Sequence, residues 1–455
     1  MFFIKKIQQV FLNIHFQSLF GNAVMAILGM VTFSILYRSL SVYEIGVYLF
    51  LTTMLNLVDT VKSGFLTTTF INFYSGTDKE KANEVAGSAW SLAIALSLLM
   101  ILVNLITFSL SSYYNNPAII IFLKYFSIIA LFGLPYFMAS IVVQGEKRFD
   151  RLLWLRLVYQ LLFVGIVIAL LFFKKANLNT IIITYAASNL VASLIILLLG
   201  WTKIETIKYS SVKTFWELFH FGKYSMGTSL SSNLFAVTDT FFINFFLGPA
   251  ALAIYNLGSK LLQIVEMPLL SLAASGMPSL SEYYNNNQKL KMMYLMKKLI
   301  GMLSIVIIGI AILSVTFAEP IIMIIGGAKY IHTEAPQLFR ILMSITILYP
   351  ADRFFALTLD VIHKPKINFY KILVMLVVNL LADYIGLKIF KSVYVIAIAN
   401  LFPVIAAILI SYKPLNAYSK LNFWSIYTIG FKEIVLFIKN GYDTINIRNK
   451  VVNNQ

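Results

Sequence analysis

Long apolar stretches alternate with short polar segments along nearly the whole chain. Stretches of about 20 predominantly apolar residues recur, and each is long enough to cross the hydrocarbon layer of a bilayer. Because backbone polar groups in lipid must be paired internally, such stretches form helices or closed barrels. The run from Ser91 to Leu110 lacks the strict polar–apolar alternation of a barrel strand, so the pattern predicts transmembrane helices.

The pattern predicts about twelve spans, joined by short loops that carry most of the charge. An all-α polytopic membrane protein is therefore the expected fold class. The predicted spans cover residues 17–37, 45–70, 86–110, 118–143, 152–173, 179–200, 221–246, 250–277, 297–317, 335–359, 367–387 and 392–412.

The distribution of basic residues predicts an orientation. If the N-terminus, with Lys5 and Lys6, lies in the cytoplasm, most of the 36 Lys and Arg residues fall in loops on that side. This asymmetry is the one that the positive-inside rule expects, and it predicts that both termini lie in the cytoplasm. Residues 421–438 form a further apolar segment, interrupted by Lys432 and Glu433, which we interpret as lying on the membrane surface. The basic residues on the opposite side are Arg38, Lys174, Lys175, Lys329, Lys388 and Lys391.

Composition excludes several other classes of protein. The chain is 59% hydrophobic and 12% charged, whereas a soluble protein is about a quarter charged. The net charge of +17 lies in loops between apolar spans, so we expect no nucleic acid partner. The sequence has no cysteine and four scattered histidines, which predicts no metal centre. Motifs for nucleotide hydrolysis or a catalytic nucleophile are missing, so we expect a transporter without a cofactor, driven by H⁺, Na⁺ or its substrate gradient.

A weak internal repeat indicates two halves of similar design. The segment LSVYEIGVY at 40–48 aligns without a gap with LGPAALAIY at 247–255, and the same offset places Asp59 on Glu266. Parallel six-helix repeats of this kind enclose a central cavity in known transporters. The prediction is two pseudo-symmetric lobes, 1–205 and 206–413, followed by a basic tail, 414–455. Chance similarity between short apolar segments is the alternative.

Polar residues concentrate in the first two predicted helices of each half. In the second span they recur on one helical face, and Lys62 lies three residues from Asp59, where the two can pair. Charged groups inside a membrane are costly, so we interpret these faces as lining a wet central cavity. The alternative is that polar groups join neighbouring helices. The candidate substrate-binding residues from this pattern are Asn22, Asp59, Lys62, Asn233, Asp239, Lys260, Gln263 and Glu266.

The tenth predicted span contains a further candidate. The segment YPADR at 349–353 places Asp352 and Arg353 deep in that span. A guanidinium group matches the geometry of a diphosphate, so Arg353 is a candidate for receiving one. A local pair between Asp352 and Arg353, stabilising a Pro-bent helix, is the alternative. Asn379 and Asp383 share one face of the eleventh span, and we interpret them as structural.

Several short motifs occur in a characteristic order. They are FGKYSMGTSLSSN at 221–233, TDTFFI at 238–243, the turns at 40–48 and 247–255, and PIIMIIGGAKY at 320–330. In these motifs the chain resembles the polysaccharide-biosynthesis branch of the multidrug/oligosaccharidyl-lipid/polysaccharide exporter superfamily, which includes O-antigen and capsule repeat-unit flippases. The resemblance covers nearly all of the predicted spans.

This resemblance implies a function and a set of partners. The expected cargo is an undecaprenyl-pyrophosphate-linked oligosaccharide, flipped from the cytoplasmic to the periplasmic face by alternating access. The expected fold is two lobes around a cationic lumen, with roles for Arg38, Asp239 and Lys260. The lipid bilayer, a polysaccharide polymerase and a chain-length regulator are the implied partners, and a monomer would suffice. Asp59 and Glu266 are acidic, so the lumen would not be purely cationic, and either residue is a candidate for ion coupling.

Three alternatives remain open at this stage. A cation-coupled multidrug exporter and a peptidoglycan lipid-precursor flippase would share the fold. A cationic drug would be repelled by Lys62 and Lys260, which disfavours the exporter. A membrane-embedded glycosyl polymerase or ligase would need large outward loops, whereas the longest predicted here is around 319–334.

Overall fold

The computed structural model describes residues 14–113, 116–436 and 439, and within these ranges the regular structure is helical. The all-α polytopic fold is therefore confirmed. Four short 3₁₀ segments at 111–113, 204–209, 328–330 and 346–348 connect the α-helices. The α-helices are α1 (Ile14–Ser39), α2 (Val42–Tyr74), α3 (Lys79–Ser109), α4 (Pro117–Gly145), α5 (Phe149–Phe172), α6 (Leu178–Leu198), α7 (Val212–Phe246), α8 (Pro249–Leu261), α9 (Gln263–Asn285), α10 (Lys289–Thr316), α11 (Ala318–Gly326), α12 (Ala335–Ile345), α13 (Tyr349–Val361), α14 (Pro365–Phe390), α15 (Val393–Ala399), α16 (Leu401–Tyr418) and α17 (424–436).

Every predicted span coincides with a helix or a pair of consecutive helices. Within the described residues, 9 helical segments are long and apolar enough to cross a membrane, or 10 if α8 and α9 form one span. The helix α1 offers only a shorter apolar stretch, Val24–Ser39, and α7 is not among the 9 segments. The multi-pass architecture is confirmed, and the count of twelve spans stays a prediction.

Side chains at the helix starts replace missing backbone partners. Ser41 and Glu44 form a capping box at the start of α2, in which each side chain accepts a hydrogen bond from the other residue's backbone N–H. The second carboxylate oxygen of Glu44 accepts a hydrogen bond from the backbone N–H of Leu178 at 3.2 Å. This single carboxylate therefore ties the start of α2 to the start of α6.

Several predicted spans are interrupted. The eighth is divided at Leu262 into α8 and α9, with an angle of 40° between them, and Pro268 and Pro278 lie inside α9. The tenth is divided by the 3₁₀ turn at 346–348, directly before Pro350. Proline lacks the N–H that an uninterrupted helix needs and crowds the preceding turn, which accounts for the irregular turn before Pro350.

By packing, the chain divides into two compact units, one ending at Ala253 and the other beginning at Ile254. In the first unit α2 packs along α7 at very short range. A Cβ atom added to Gly64 would lie 2.9 Å from the Cα of Met226, and one added to Gly222 would lie 2.5 Å from the carbonyl oxygen of Phe65. Glycine at these places allows the two backbones to approach, as small residues do between membrane helices.

The unit boundary differs from the predicted lobe boundary between residues 205 and 206. Helix α7 packs with the first unit, although the repeat assigns it to the second half. The two repeated turns also meet inside the first unit, since the hydroxyl of Tyr37 donates to the carbonyl of Ala253 at 2.9 Å. Packing and internal repetition are different properties, so the predicted lobes, 1–205 and 206–413, and the tail, 414–455, stay predictions.

Three polar loops of the first unit, all predicted to face the cytoplasm, join in one network. The Lys203 ammonium lies 2.7 Å from Glu146 and donates to the Tyr74 hydroxyl at 2.6 Å, and Ser75 donates to the carbonyl of Gly145. Burial alone would lower the pKa of Lys203, but the hydrogen bonds to Glu146 and Tyr74 outweigh it and raise that pKa. The network connects the ends of α2 and α4 with the segment after α6.

The apolar segment near the C-terminus forms the helix α17, which packs on α10 in the second unit. Gly430 and Gly301 bring the two backbones together, since a Cβ on Gly430 would lie 2.2 Å from the carbonyl carbon of Gly301. Glu433 pairs with Lys298 and accepts from the Tyr294 hydroxyl. The opposite face exposes Trp424, Phe431 and Val435 at helical spacing. This apolar outer face fits the predicted membrane-surface segment, whose last residues, 437 and 438, lie outside the described residues.

Candidate functional site

A polar cavity of about 510 Å³ lies within the first unit, enclosed by α2, α4, α5, α6 and α7. Its volume is that of a typical small-molecule site. Four of these helices, α2, α4, α5 and α6, are apolar enough to cross a membrane, where polar lining groups are costly and tend to mark substrate or ion pathways. The lining residues are Leu55, Asn56, Asp59, Thr60, Lys62, Ser63, Phe126, Ile129, Ala130, Gly133, Tyr136, Phe137, Ser140, Tyr159, Tyr185, Asn189 and Asn233.

An ion pair on α2 supplies the charge of this cavity. The Lys62 ammonium lies 3.0 Å from the Asp59 carboxylate, as the three-residue spacing predicted. The Lys62 side chain is only 5% exposed, whereas that of Asp59 is 63% exposed. The ammonium also lies 4.8 Å from the ring centre of Phe137, within range of a cation–π interaction. The lysine is therefore held in place on two sides, while the carboxylate remains accessible.

Helix α7 reaches the cavity because the glycines let it pack against α2. Its Asn233 lines the cavity, and the Asn233 side-chain N–H donates to the carbonyl of Ser229 at 3.0 Å. Ser229 in turn lies beside Gly64, where an added Cβ would be 3.1 Å from the serine Cβ. The polar faces that the sequence predicted for the second and seventh spans therefore meet.

Aromatic side chains form the wall opposite α2. Tyr136, Tyr159 and Tyr185 are neighbours, with ring centres 5.7 Å and 5.9 Å apart along that series. Phe163 extends the cluster behind Tyr185 at 5.9 Å. Rings in contact like these present rigid faces, while their hydroxyls can bond to a polar ligand. Asn189, one turn after Tyr185, adds an amide whose N–H donates to the Tyr185 carbonyl at 2.9 Å.

The arrangement combines one cation, one accessible anion, amides, hydroxyls and aromatic faces. The ammonium can bind a phosphate oxygen, and the amides and hydroxyls can bond to several hydroxyl groups at once. Aromatic faces pack on apolar ring surfaces. Within the described residues no cluster of three or more His, Cys, Asp or Glu side chains could hold a metal ion. The chemistry that the site offers is recognition of a polar, ring-containing ligand.

The candidate residues divide between several places. Asp59, Lys62 and Asn233 come together in this cavity of the first unit, and their role in binding a substrate stays a prediction. Arg38 is exposed at the end of α1, and Asp239 is partly buried on α7 beyond Asn233; neither lines this cavity. Asn22 belongs to α1, but its side chain lies outside the described residues.

The remaining candidates belong to the second unit. Lys260 and Gln263 flank the break at Leu262, and Glu266 follows one turn into α9. Lys260 and Gln263 are partly buried, and Glu266 is exposed at the residue level. Their predicted role at a cavity stays a prediction.

The pairing considered for Arg353 was wrong. The Asp352 carboxylate lies 2.7 Å from the ammonium of Lys371 on α14, and Arg353 is exposed. Lys371 lies inside the predicted span 367–387 and on α14, but the sequence interpretation did not consider it as a partner of Asp352. Asn368 adds a second contact between these helices by donating to Asp360 at 2.7 Å. Asn379 donates to Asp383 at 3.0 Å and both are buried, which agrees with their interpretation as structural.

Sequence reasoning missed the aromatic wall and Asn189. Tyr136, Tyr159 and Tyr185 stand singly in apolar spans, where an isolated tyrosine resembles any membrane-interface residue. The available signal was the pair Tyr185 and Asn189, four residues apart and therefore on one face of the sixth span.

The comparisons with known proteins identify a family from the sequence and similar folds among solved structures. A family profile described as "Polysaccharide biosynthesis protein" matches residues 35–334. Among solved structures, an inward-facing multidrug resistance transporter of the MATE family in the MOP superfamily is similar, with a TM-score of 0.70, 15% identity, and 88% of this chain and 96% of that chain covered. The lipid II flippase MurJ in an inward closed conformation gives 0.66 at 13% identity, covering 93% and 92%.

A third similar structure belongs to a transporter whose binding pocket is described as having the opposite polarity. It is a MOP superfamily transporter from Pyrococcus furiosus, described by a reversed polarity of its binding pocket that suggests a different function; its TM-score is 0.53 at 14% identity, with 89% of this chain and 95% of that chain covered. At these identities the structures show a shared fold. A search of curated proteins gives no match.

Proposed function

Because the chain belongs to the polysaccharide biosynthesis protein family, we propose that it is a flippase for a lipid-linked oligosaccharide repeat unit. The proposed cargo is undecaprenyl-pyrophosphate-linked, and it moves by alternating access from the cytoplasmic to the periplasmic face of the inner membrane. Both termini face the cytoplasm in this proposal, because the basic loops then lie inside. The polymer that the repeat unit enters is an O-antigen, capsule or exopolysaccharide.

The observation that carries this proposal is the polar, aromatic cavity with its buried lysine. Lys62 supplies a cation for the diphosphate, and the tyrosine wall supplies faces for sugar rings. Asn56, Asn189 and Asn233 supply donors and acceptors for sugar hydroxyls. Arg38, Lys260 and Arg353 are further proposed cationic contacts along the path.

Deleting the gene and sizing the lipid-linked intermediates tests the proposal. If the chain flips repeat units, single lipid-linked units accumulate and surface polymer disappears, and both return on complementation. Unchanged polymer in the deletion strain would contradict the proposal.

A cation-coupled exporter is the second candidate, and the accessible Asp59 carboxylate is the observation that favours it. A carboxylate 63% exposed beside aromatic rings could bind a coupling cation, H⁺ or Na⁺, or a cationic drug. The Lys62 ammonium at 3.0 Å opposes cation binding there. A deletion strain that gains drug sensitivity while keeping its polymer would select this candidate.

A further inference from the structure

Helix α2 has a second, apolar face, opposite to the polar cavity. Phe50, Met54, Val58, Val61 and Phe65 follow one another at intervals of four, four, three and four residues, which places them on one side of the helix. These five residues form the floor of an apolar trough of about 720 Å³. We define the trough by these residues and by the parts of α3, α4 and α7 that face them.

The trough is long and lined almost wholly by hydrocarbon. From Phe50 to Phe65 it follows α2 for about 22 Å at 1.5 Å per residue, a large part of a hydrocarbon layer of about 30 Å. Phe219 stacks on Phe65 at one end, and Phe241 and Phe245 meet Phe50 edge-on at the other. The other lining residues are Leu96, Leu99, Met100, Val103, Asn104 and Thr107 of α3 and Ile119, Phe122, Leu123 and Phe126 of α4.

The few polar groups in the trough are turned toward the protein. Asn104 donates to the carbonyl of Leu123 and to the hydroxyl of Ser127, both at 2.9 Å. The Thr107 hydroxyl donates to the carbonyl of Val103 at 2.8 Å. Water needs two to four polar partners to occupy a cavity, so these walls do not favour it. An unfilled trough would lose dispersion contacts along its length, so hydrocarbon is the favoured occupant.

The trough reaches the outer surface of the first unit along one edge. Leu99 is 58% exposed and Val103 is 53% exposed, and Phe245 at the end of the trough is exposed as well. A chain can therefore enter sideways from the bilayer without passing through the packed interior.

The neighbouring polar cavity indicates which hydrocarbon fits. Val58 and Val61 of the trough directly precede Asp59 and Lys62 of the cavity, and the Phe126 ring lines both. We propose that the trough holds the long hydrocarbon chain of the lipid-linked substrate while the cavity on the other side of α2 holds its polar part. This inference rests on the proposed function, since it assigns the lipid part of the same cargo.

Photolabelling of the full-length protein tests the assignment. The protein is placed in vesicles of phosphatidylethanolamine and phosphatidylglycerol with a diazirine-bearing polyprenyl diphosphate, irradiated, and mapped by mass spectrometry. Two variants form a matched pair, because Leu98 and Leu99 are both 58% exposed on α3 and only Leu99 lines the trough. The variant Leu99→Trp fills the trough edge, and Leu98→Trp adds the same ring beside it.

We expect labels on the trough segments of α2, α3 and α7 in the wild type, displaced by unlabelled polyprenyl diphosphate and not by added phospholipid. In Leu99→Trp the trough labelling should fall about tenfold, which corresponds to 1.4 kcal/mol of lost binding, and Leu98→Trp should keep it. Flipping should fall with the labelling. Labels spread over all lipid-facing helices, or displacement by phospholipid, would overturn the proposal.

The outcomes for the trough and for the proposed function are separable. Normal flipping by Leu99→Trp, with its labels outside the trough, overturns the trough assignment and leaves the flippase standing. The flippase itself fails only if the deletion strain keeps its polymer, a result that photolabelling does not affect.

Discussion

Each of the two units contains a lysine buried inside a helix and paired with an aspartate, and the pairs differ in what surrounds them. Lys62 and Lys371 have the same side-chain exposure, 5%, and similar distances to their partners, 3.0 Å and 2.7 Å. Asp59 is 63% exposed and borders a cavity, whereas Asp352 is 26% exposed and joins α13 to α14. A buried ion pair therefore does not by itself indicate a binding site. The exposure of the carboxylate and the presence of a cavity beside it distinguish the two pairs.

The same substitution at both lysines should separate the two roles, and the larger loss of stability is expected at Lys371. Lys371→Met leaves the Asp352 carboxylate without its partner, and because that carboxylate is partly exposed we expect a cost of about 2 kcal/mol in the free energy of unfolding. Thermal unfolding in detergent measures it. The double variant Lys371→Met/Asp352→Asn should recover most of the loss, and an unchanged unfolding temperature in the single variant would contradict a structural role.

Lys62→Met should affect transport far more than stability. Asp59 can be hydrated when its partner is removed, so the unfolding temperature should stay close to that of the wild type. Removal of the cation that we propose binds the diphosphate should reduce flipping about tenfold or more, since hydrogen bonds to charged groups contribute about 1.5–3 kcal/mol. Accumulation of lipid-linked repeat units is the measurement. Lys62→Arg, which keeps the charge, serves as the control, and wild-type flipping by Lys62→Met would remove Lys62 from the site.

The buried asparagines of the two units extend the comparison. Asn189→Leu keeps the branching of the side chain and removes one amide from the cavity, so flipping should fall about fivefold, the equivalent of about 1 kcal/mol. Asn379→Leu removes the donor that Asp383 accepts from and should lower the unfolding temperature instead. Flipping and the unfolding temperature are both measured for each of the two variants. A transport defect in a fully stable Asn379→Leu protein would show that the second pair is not structural.

Asp59→Asn should give the smallest change. The carboxylate is mostly exposed, and exposed pairs contribute about 0–1 kcal/mol, so flipping should change by less than about fivefold. Polymer production in the complemented deletion strain measures this. Complete loss of transport would instead indicate that Asp59 binds a coupling cation, as the exporter candidate requires.

The sequence predicted local features well and tertiary ones poorly. The polar face of α2 and the pairing of Asp59 with Lys62 follow from helical periodicity, so both were accessible from the residues alone. The tyrosine wall comes from α4, α5 and α6, and its members become neighbours only when those helices pack. Lys371 lies inside the predicted span 367–387, but hydropathy does not show which helices pack together, so its pairing with Asp352 was missed.

Contacts at both ends of α2 fix this helix to the other helices that line the cavity. Glu44 fastens the start of α2 to the start of α6, and the network of Lys203, Glu146 and Tyr74 fastens its other end to α4. Because α2 is fixed at both ends, the helices that line the cavity should move together as one rigid body during transport. Slow amide exchange along α2, α4 and α6, unchanged when substrate is added, would be the sign of this rigid-body motion. The substrate would then be transported without a change in the shape of its cavity.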